Sequence, residues 1–203
     1  MQLKKLLLTA TVLTCATPSF AQEELVKFGD FEQWITRTIK ESGIVGGASK
    51  TLVEVGPTAT INNNEPYTNR GGSPWATSNV YAKMMGVSKA NVSVFKDKHN
   101  NGTCVRMTTN IEKAKAIGII NVTVLAGGSL FTGKMYEPIS STSNPMSKMS
   151  MGMPFTKRPK AIKFDYKVEL TKEANRIRET GFSKTKEIAG RYTDKVYDFE
   201  WVN

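Results

Sequence analysis

Apolar and polar residues alternate most strictly between Ile162 and Leu170. Ile162, Phe164, Tyr166, Val168 and Leu170 fall on one side, and Lys163, Asp165, Lys167 and Glu169 fall on the other. A period of two predicts a strand with one face buried and one wet, placed centrally in a sheet. The charged side alternates in sign, so neighbouring side chains on that face attract one another. Pro154 and Pro159 bracket a Thr-Lys-Arg loop ahead of the strand, outside the ladder that a proline would interrupt.

The rest of the chain is a run of short apolar segments broken by turn residues, which predicts an all-β domain. Lys50–Val55, Val92–Phe95, Thr103–Thr108, Ile119–Leu125 and Ser129–Met135 read as strands. Asn101-Gly102 in the string HNNG marks a turn between two of them. Trp34, Ile35, Thr38 and Ile39 have helical spacing, so strand and helix compete there. Ile111–Ile117 has the pattern of one helical turn, and Thr171–Gly181 reads equally as a short helix or a charged loop. Pro57–Pro74, rich in Asn, Gly, Pro and Thr, is long for a loop in a compact domain and points to function or mobility. Val196–Val202 alternates again, with Tyr197, Phe199 and Trp201 on one face.

The 203 residues suit a single domain. Their formal charge of +10 would suit a nucleic-acid partner. The start of the chain changes that picture. Lys4 and Lys5 precede an apolar stretch from Leu6 to Ala16, too short to span a bilayer, and Ser19-Phe20-Ala21 offers a leader-peptidase site. Residues 1–21 therefore read as a signal peptide and 22–203 as one mature domain beginning at Gln22. An exported basic protein meets glycans and anionic surfaces rather than nucleic acid, and no transmembrane segment is expected. Lipidation at Cys15 is the less favoured alternative, because Thr14 is a poor lipobox residue. Cys104 would then be the one remaining thiol, in an apolar run that suggests a small buried side chain.

Four strings occur in order: GDFEQW at Gly29–Trp34, GGSPWATSN at Gly71–Asn79, GSLFTG at Gly128–Gly133 and GMPFTKRPKAIKFDYK at Gly152–Lys167. Together they resemble the putative carbohydrate-metabolism domain family of exported bacterial proteins, over about Phe28 to Phe182. The resemblance implies a galactose-binding-like jelly-roll β-sandwich with a loose link to glycans, and it carries no catalytic residues across. Members of that family continue through further strands beyond the DYK string. The expectation here is therefore a sandwich lacking its last strands, with an apolar edge near Tyr197–Trp201 open to self-association. A calcium site between first and last strands is not expected, since Asp30 and Glu32 alone supply too few oxygens.

Candidate chemistry is sparse. His99 is the only histidine and lies in a polar turn, which leaves no triad and no histidine-rich metal site. No cofactor is expected. Asp30, Glu32, Glu137, Asp165 and Glu169 could furnish the carboxylate pair of a glycosidase, but Asp165 and Glu169 sit among lysines as in an ordinary solvated ladder. Met146, Met149, Met151 and Met153 could bind a soft metal, yet the alternation of Met149, Met151 and Met153 fits packing better. Trp34, Trp75 and Trp201 could offer a flat platform to a sugar ring. Core packing is the commoner role for a tryptophan; Trp75 is the best-placed exception, because it ends a polar loop. Candidate ligand contacts are thus Trp75, Asn79, Arg106, Asp165 and Lys167. Three roles remain open. The first is a non-enzymatic carbohydrate-binding or surface-interaction sandwich; the others are a two-carboxylate glycoside-processing enzyme and an adhesive subunit without a small ligand.

Overall fold

A computed structural model describes residues 23–116, 120–141, 145–168, 175–179 and 186–190. The leader, Cys15, and the strand expected at Tyr197–Trp201 lie outside them. The described chain is all-β, with no α-helix among the described residues. Its strands are β1 (Trp34–Lys40), β2 (Ser49–Val55), β3 (Ala59–Ile61), β4 (Trp75–Thr77), β5 (Val80–Met84), β6 (Val87–Asn91) and β7 (Val94–His99). They continue with β8 (Gly102–Met107), β9 (Thr109–Ala116), β10 (Ile120–Gly127), β11 (Leu130–Met135), β12 (Met149–Met151), β13 (Asn175–Glu179) and β14 (Lys186–Gly190).

β1 is the centre of a three-stranded sheet, antiparallel to β2 and parallel to β3. β11 is the centre of a second, antiparallel to both β4 and β12. Four antiparallel hairpins complete the set: β5–β6, β7–β8, β9–β10 and β13–β14. The arrangement is consistent with a β-sandwich. The turn after β5 is Met85-Gly86, both at positive φ (48° and 80°), as a type I′ hairpin requires. In the HNNG turn the loop is Asn100-Asn101, and Gly102 pairs with His99.

The motif glycines have steric reasons. A Cβ on Gly128 would lie 2.5 Å from the Ser93 carbonyl oxygen, and one on Gly133 would lie 2.1 Å from that of Ser150. The GSLFTG string therefore lets β11 approach β12 and the β7–β9 region more closely than any side chain would permit.

Two apolar clusters lie on the inner face of the β1 sheet. Ile39 and Leu52 pack with Tyr81 and Ala90 of the β5–β6 hairpin, and Ile35 and Ile61 pack with Tyr67. A third joins Val87 to Ala114 of β9. Tyr67 and Asn69 are buried and β3 lies within Pro57–Pro74, so that segment is packed structure, not a loose loop.

Several expectations change. Trp34–Lys40, Ile111–Ala116 and Asn175–Glu179 are strands, because cross-strand pairing outweighs weak local spacing. The largest change is at Ile162–Val168, which forms no strand apart from one isolated bridge at Tyr166. Its apolar residues are exposed, Ile162 at 84% and Phe164 at 71%. Periodicity specifies two faces but not which neighbour covers one. Met151 and Met153 are also exposed, against the packing expectation.

Candidate functional site

The inner face of β1 alternates Ile35, Arg37, Ile39, so a guanidinium lies between the two apolar clusters, fully buried. Arg37 pairs directly with Leu52 on β2, which puts Glu54 diagonally opposite on the same face. Arg37 Nη1 donates to Glu54 Oε1 at 2.8 Å, and Nη2 donates to Glu137 Oε2. Glu137 follows β11 and is brought to β5 by a bridge between Ile139 and Ala82. Its Oε1 accepts from the Tyr81 amide (2.8 Å) and its Oε2 from the Tyr67 amide (2.9 Å). Thr77 Oγ1 donates to Glu54 Oε2 at 2.8 Å. The guanidinium also lies 5.1 Å from the centre of the Tyr67 ring.

Burial pushes the Glu54 carboxyl up to about 7, against the pull of Arg37. Burial likewise raises the Tyr67 phenol above its ordinary value. A carboxyl kept near neutrality beside a second carboxylate resembles an acid–base pair. Here, however, each of the four carboxylate oxygens already has a donor from the protein. Both carboxylate side chains are at most 2% exposed. The cluster ties β1, β2, β4, β5 and the Glu137 loop together, and it offers no face to a substrate.

The surface arrangement is different. The N-terminal segment crosses β8 with Glu32 Oε1 accepting from the Thr103 amide at 2.9 Å. The Trp34 indole N–H donates to the Phe31 carbonyl at 2.6 Å. Phe28 and Phe31 both have positive φ (59° and 55°), a strained conformation for bulky residues. That backbone sets Phe31 edge-on to Trp75, ring centres 5.5 Å apart. The Trp75 indole N–H donates to the Lys27 carbonyl at 2.9 Å, leaving the half-exposed ring as its contact surface. Lys27 Nζ lies 4.9 Å from the centre of the Phe28 ring. An aromatic ledge carrying one cation results.

The five sequence candidates do not form one site. Trp75 lies on this ledge. Asn79 is buried: its Nδ2 donates to the Val53 and Val94 carbonyls and its Oδ1 accepts the Ser93 and Val94 amides, so its amide serves the fold. Arg106 donates through Nε to Asp97 Oδ2 at 2.6 Å and lies over Phe95 at 4.3 Å, so its guanidinium serves a neighbouring strand residue. Asp165 is exposed and Lys167 half-buried in the 161–168 stretch. Of the acids considered for catalysis, Glu137 is enclosed and Glu32 holds Thr103. Sequence reasoning missed Phe31, Phe28 and Lys27 as neighbours of Trp75. Of these only Phe31 lies in the GDFEQW string, and the positive φ at Phe28 and Phe31 leaves no mark in composition. It also missed Arg37 and Glu54, whose sole signal was charge on the apolar side of an alternating strand. Among the described residues no group of three or more His, Cys, Asp or Glu could hold a metal ion. No helix among them is long and apolar enough to cross a membrane.

A family model described as "Putative carbohydrate metabolism domain" matches residues 53–194. Three of the four strings lie inside that span, and GDFEQW at 29–34 precedes it, so the matched region begins later and ends later than the resemblance suggested. No curated protein and no solved structure matches the chain.

Proposed function

Because the chain belongs to the putative carbohydrate metabolism domain family, we propose that it is an exported protein that binds carbohydrate on the Phe31–Trp75 ledge without cleaving it. The ledge is the observation that carries this reading. A pyranose presents an apolar face of C–H bonds, and a half-exposed indole gives that face a flat surface to lie on. Lys27 beside it supplies a donor for hydroxyl or carboxylate oxygens at the ring edge. Strain at Phe28 and Phe31, held by the Glu32–Thr103 clamp, keeps the rings in place before a ligand arrives. Hydrolysis is disfavoured because Glu54 and Glu137, the two carboxylates that share one guanidinium, are consumed by Arg37, Thr77 and backbone donors. Export rests on the leader-like pattern of residues 1–21.

The test is a glycan array with wild type, Trp75→Ala and Phe31→Ala, each first shown to be folded by its melting curve. Loss of the central aromatic should weaken binding about tenfold or more, as for a buried aromatic anchor. Equal binding by wild type and Trp75→Ala would remove the ledge from the site. Release of reducing ends from a bound glycan would replace binding by catalysis. N-terminal sequencing of the exported protein should begin at Gln22.

A further inference from the structure

The two-residue turn between β5 and β6 is Met85-Gly86. Its first position has a φ of 48°, a conformation that Gly, Asn and Asp adopt readily and methionine does not. The side chain held there is apolar and 82% exposed. Met85 thus costs the turn backbone strain and returns no burial within the chain. A residue that breaks the local rule in this way points to a role outside the fold.

A second exposed apolar residue stands at the same end of the domain. Gly43–Val45 forms a single 3-10 turn tied to β6. The Ser42 amide donates to the Ser88 carbonyl at 3.0 Å, and the Ser88 amide donates to Ser42 Oγ at 2.9 Å. Val45 and Met84 both pack against the Val87–Ala114 pair. Their neighbours in the chain are Ile44, which is 56% exposed, and Met85. The space around these tips is open, since a Cβ added to Gly43, Gly46 or Gly86 would meet nothing within 4 Å. The same packing brings cations. Ala114 of β9 faces Val87, so Lys113 and Lys115 on either side of it face outward, and both are exposed. Lys83, next to Met84, is exposed as well. The carboxylates of the adjoining segments are turned to another partner: Glu41 and Glu112 lie 2.9 and 4.0 Å from Lys89 Nζ.

We propose that the end of the domain formed by the Met85-Gly86 turn and Gly43–Val45 docks on an anionic lipid surface. Met85 and Ile44 enter the boundary between headgroups and acyl chains, and Lys83, Lys113 and Lys115 stay among the anionic headgroups. The occupant is a bilayer because the apolar residues stand on convex tips, with no groove between them for a peptide, and the exposed charge beside them is of one sign. Two apolar side chains and three lysines give a modest attraction, so docking is reversible and sensitive to salt. It uses none of the residues of the Phe31–Trp75 ledge.

Flotation of the exported protein with vesicles of phosphatidylglycerol and phosphatidylcholine, against vesicles of phosphatidylcholine alone, tests this. Wild type should float with the anionic vesicles, far less with the neutral ones, and raised salt should release it. Met85→Asn puts a favoured residue into the turn, so its melting temperature should not fall, yet its affinity for anionic vesicles should drop about tenfold. Met85→Leu should keep the affinity. Lys113→Gln with Lys115→Gln should weaken binding about tenfold while melting as wild type does. Wild type that stays unbound overturns the proposal, as does equal binding to neutral vesicles. Equal binding by Met85→Asn also overturns it, since only the diffuse attraction of a basic protein would then be at work. Self-association that Met85→Asn abolishes, without any vesicle binding, would make a second copy the occupant and overturn it too.

Discussion

In β1, Ile35, Arg37 and Ile39 share a face closed to water, although the middle residue is a cation. In 162–168, four apolar residues share a face open to water. Both segments have period two. What separates them is the supply of partners. β1 lies between β2 and β3, and its inner face meets Tyr67, Tyr81 and two carboxylates that complement its one charge. The later stretch has one bridge and no such cover among the described residues. Burial of a side chain is thus decided by what its face meets, and a charge is accommodated in a core where its counter-charges are positioned by backbone amides.

The comparison can be broken most forcibly at Arg37. Arg37→Ala strips two buried carboxylates of their cation, and the expected loss is about 3–5 kcal/mol in urea unfolding. A loss below about 1 kcal/mol, the level of a surface change, would mean that the cluster is not closed. Replacing Arg37, Glu54 and Glu137 together by apolar residues of similar volume should cost far less than Arg37→Ala alone, because no orphaned charge remains.

A finer test uses pH. Below about 4.5 Glu54 is protonated in both states and contributes no slope. Between about 4.5 and 7 the unfolded chain releases this proton while the folded chain keeps it. The folded state then binds more protons, so this group lowers stability as pH rises through that window, with the full loss present above it. Subtracting the pH profile of Glu54→Gln from that of wild type should leave this downward slope. A difference that rises with pH would place the Glu54 carboxyl below its ordinary range and make the pair a conventional ion bridge.

The smallest expected effect lies at the other end of the comparison. Phe164→Ala in dilute, monomeric protein should change stability by about 0.5 kcal/mol or less, as exposed substitutions do. A loss of about 3–5 kcal/mol, the range for a buried phenylalanine, would show that the face is covered.

Sequence alone determined the all-β class, the family, the positions of β2, β7, β8, β10 and β11, and the burial of Cys104 in β8. These follow from local chemistry: β-branched runs, turn residues, and glycines where backbones must touch. It also singled out Trp75, whose position after a polar loop was visible. The tertiary structure decided the rest. Asn79 became a buried backbone clamp, and Arg106 took Asp97 and Phe95 as partners. Arg37, Glu54 and Glu137 met across as many as 100 positions of sequence. The reason is that a period of two states only that a strand has two unlike faces. Which face is covered, and whether a charge on it finds its counter-charge, depends on residues far away in the chain that pairing and loop geometry bring beside it.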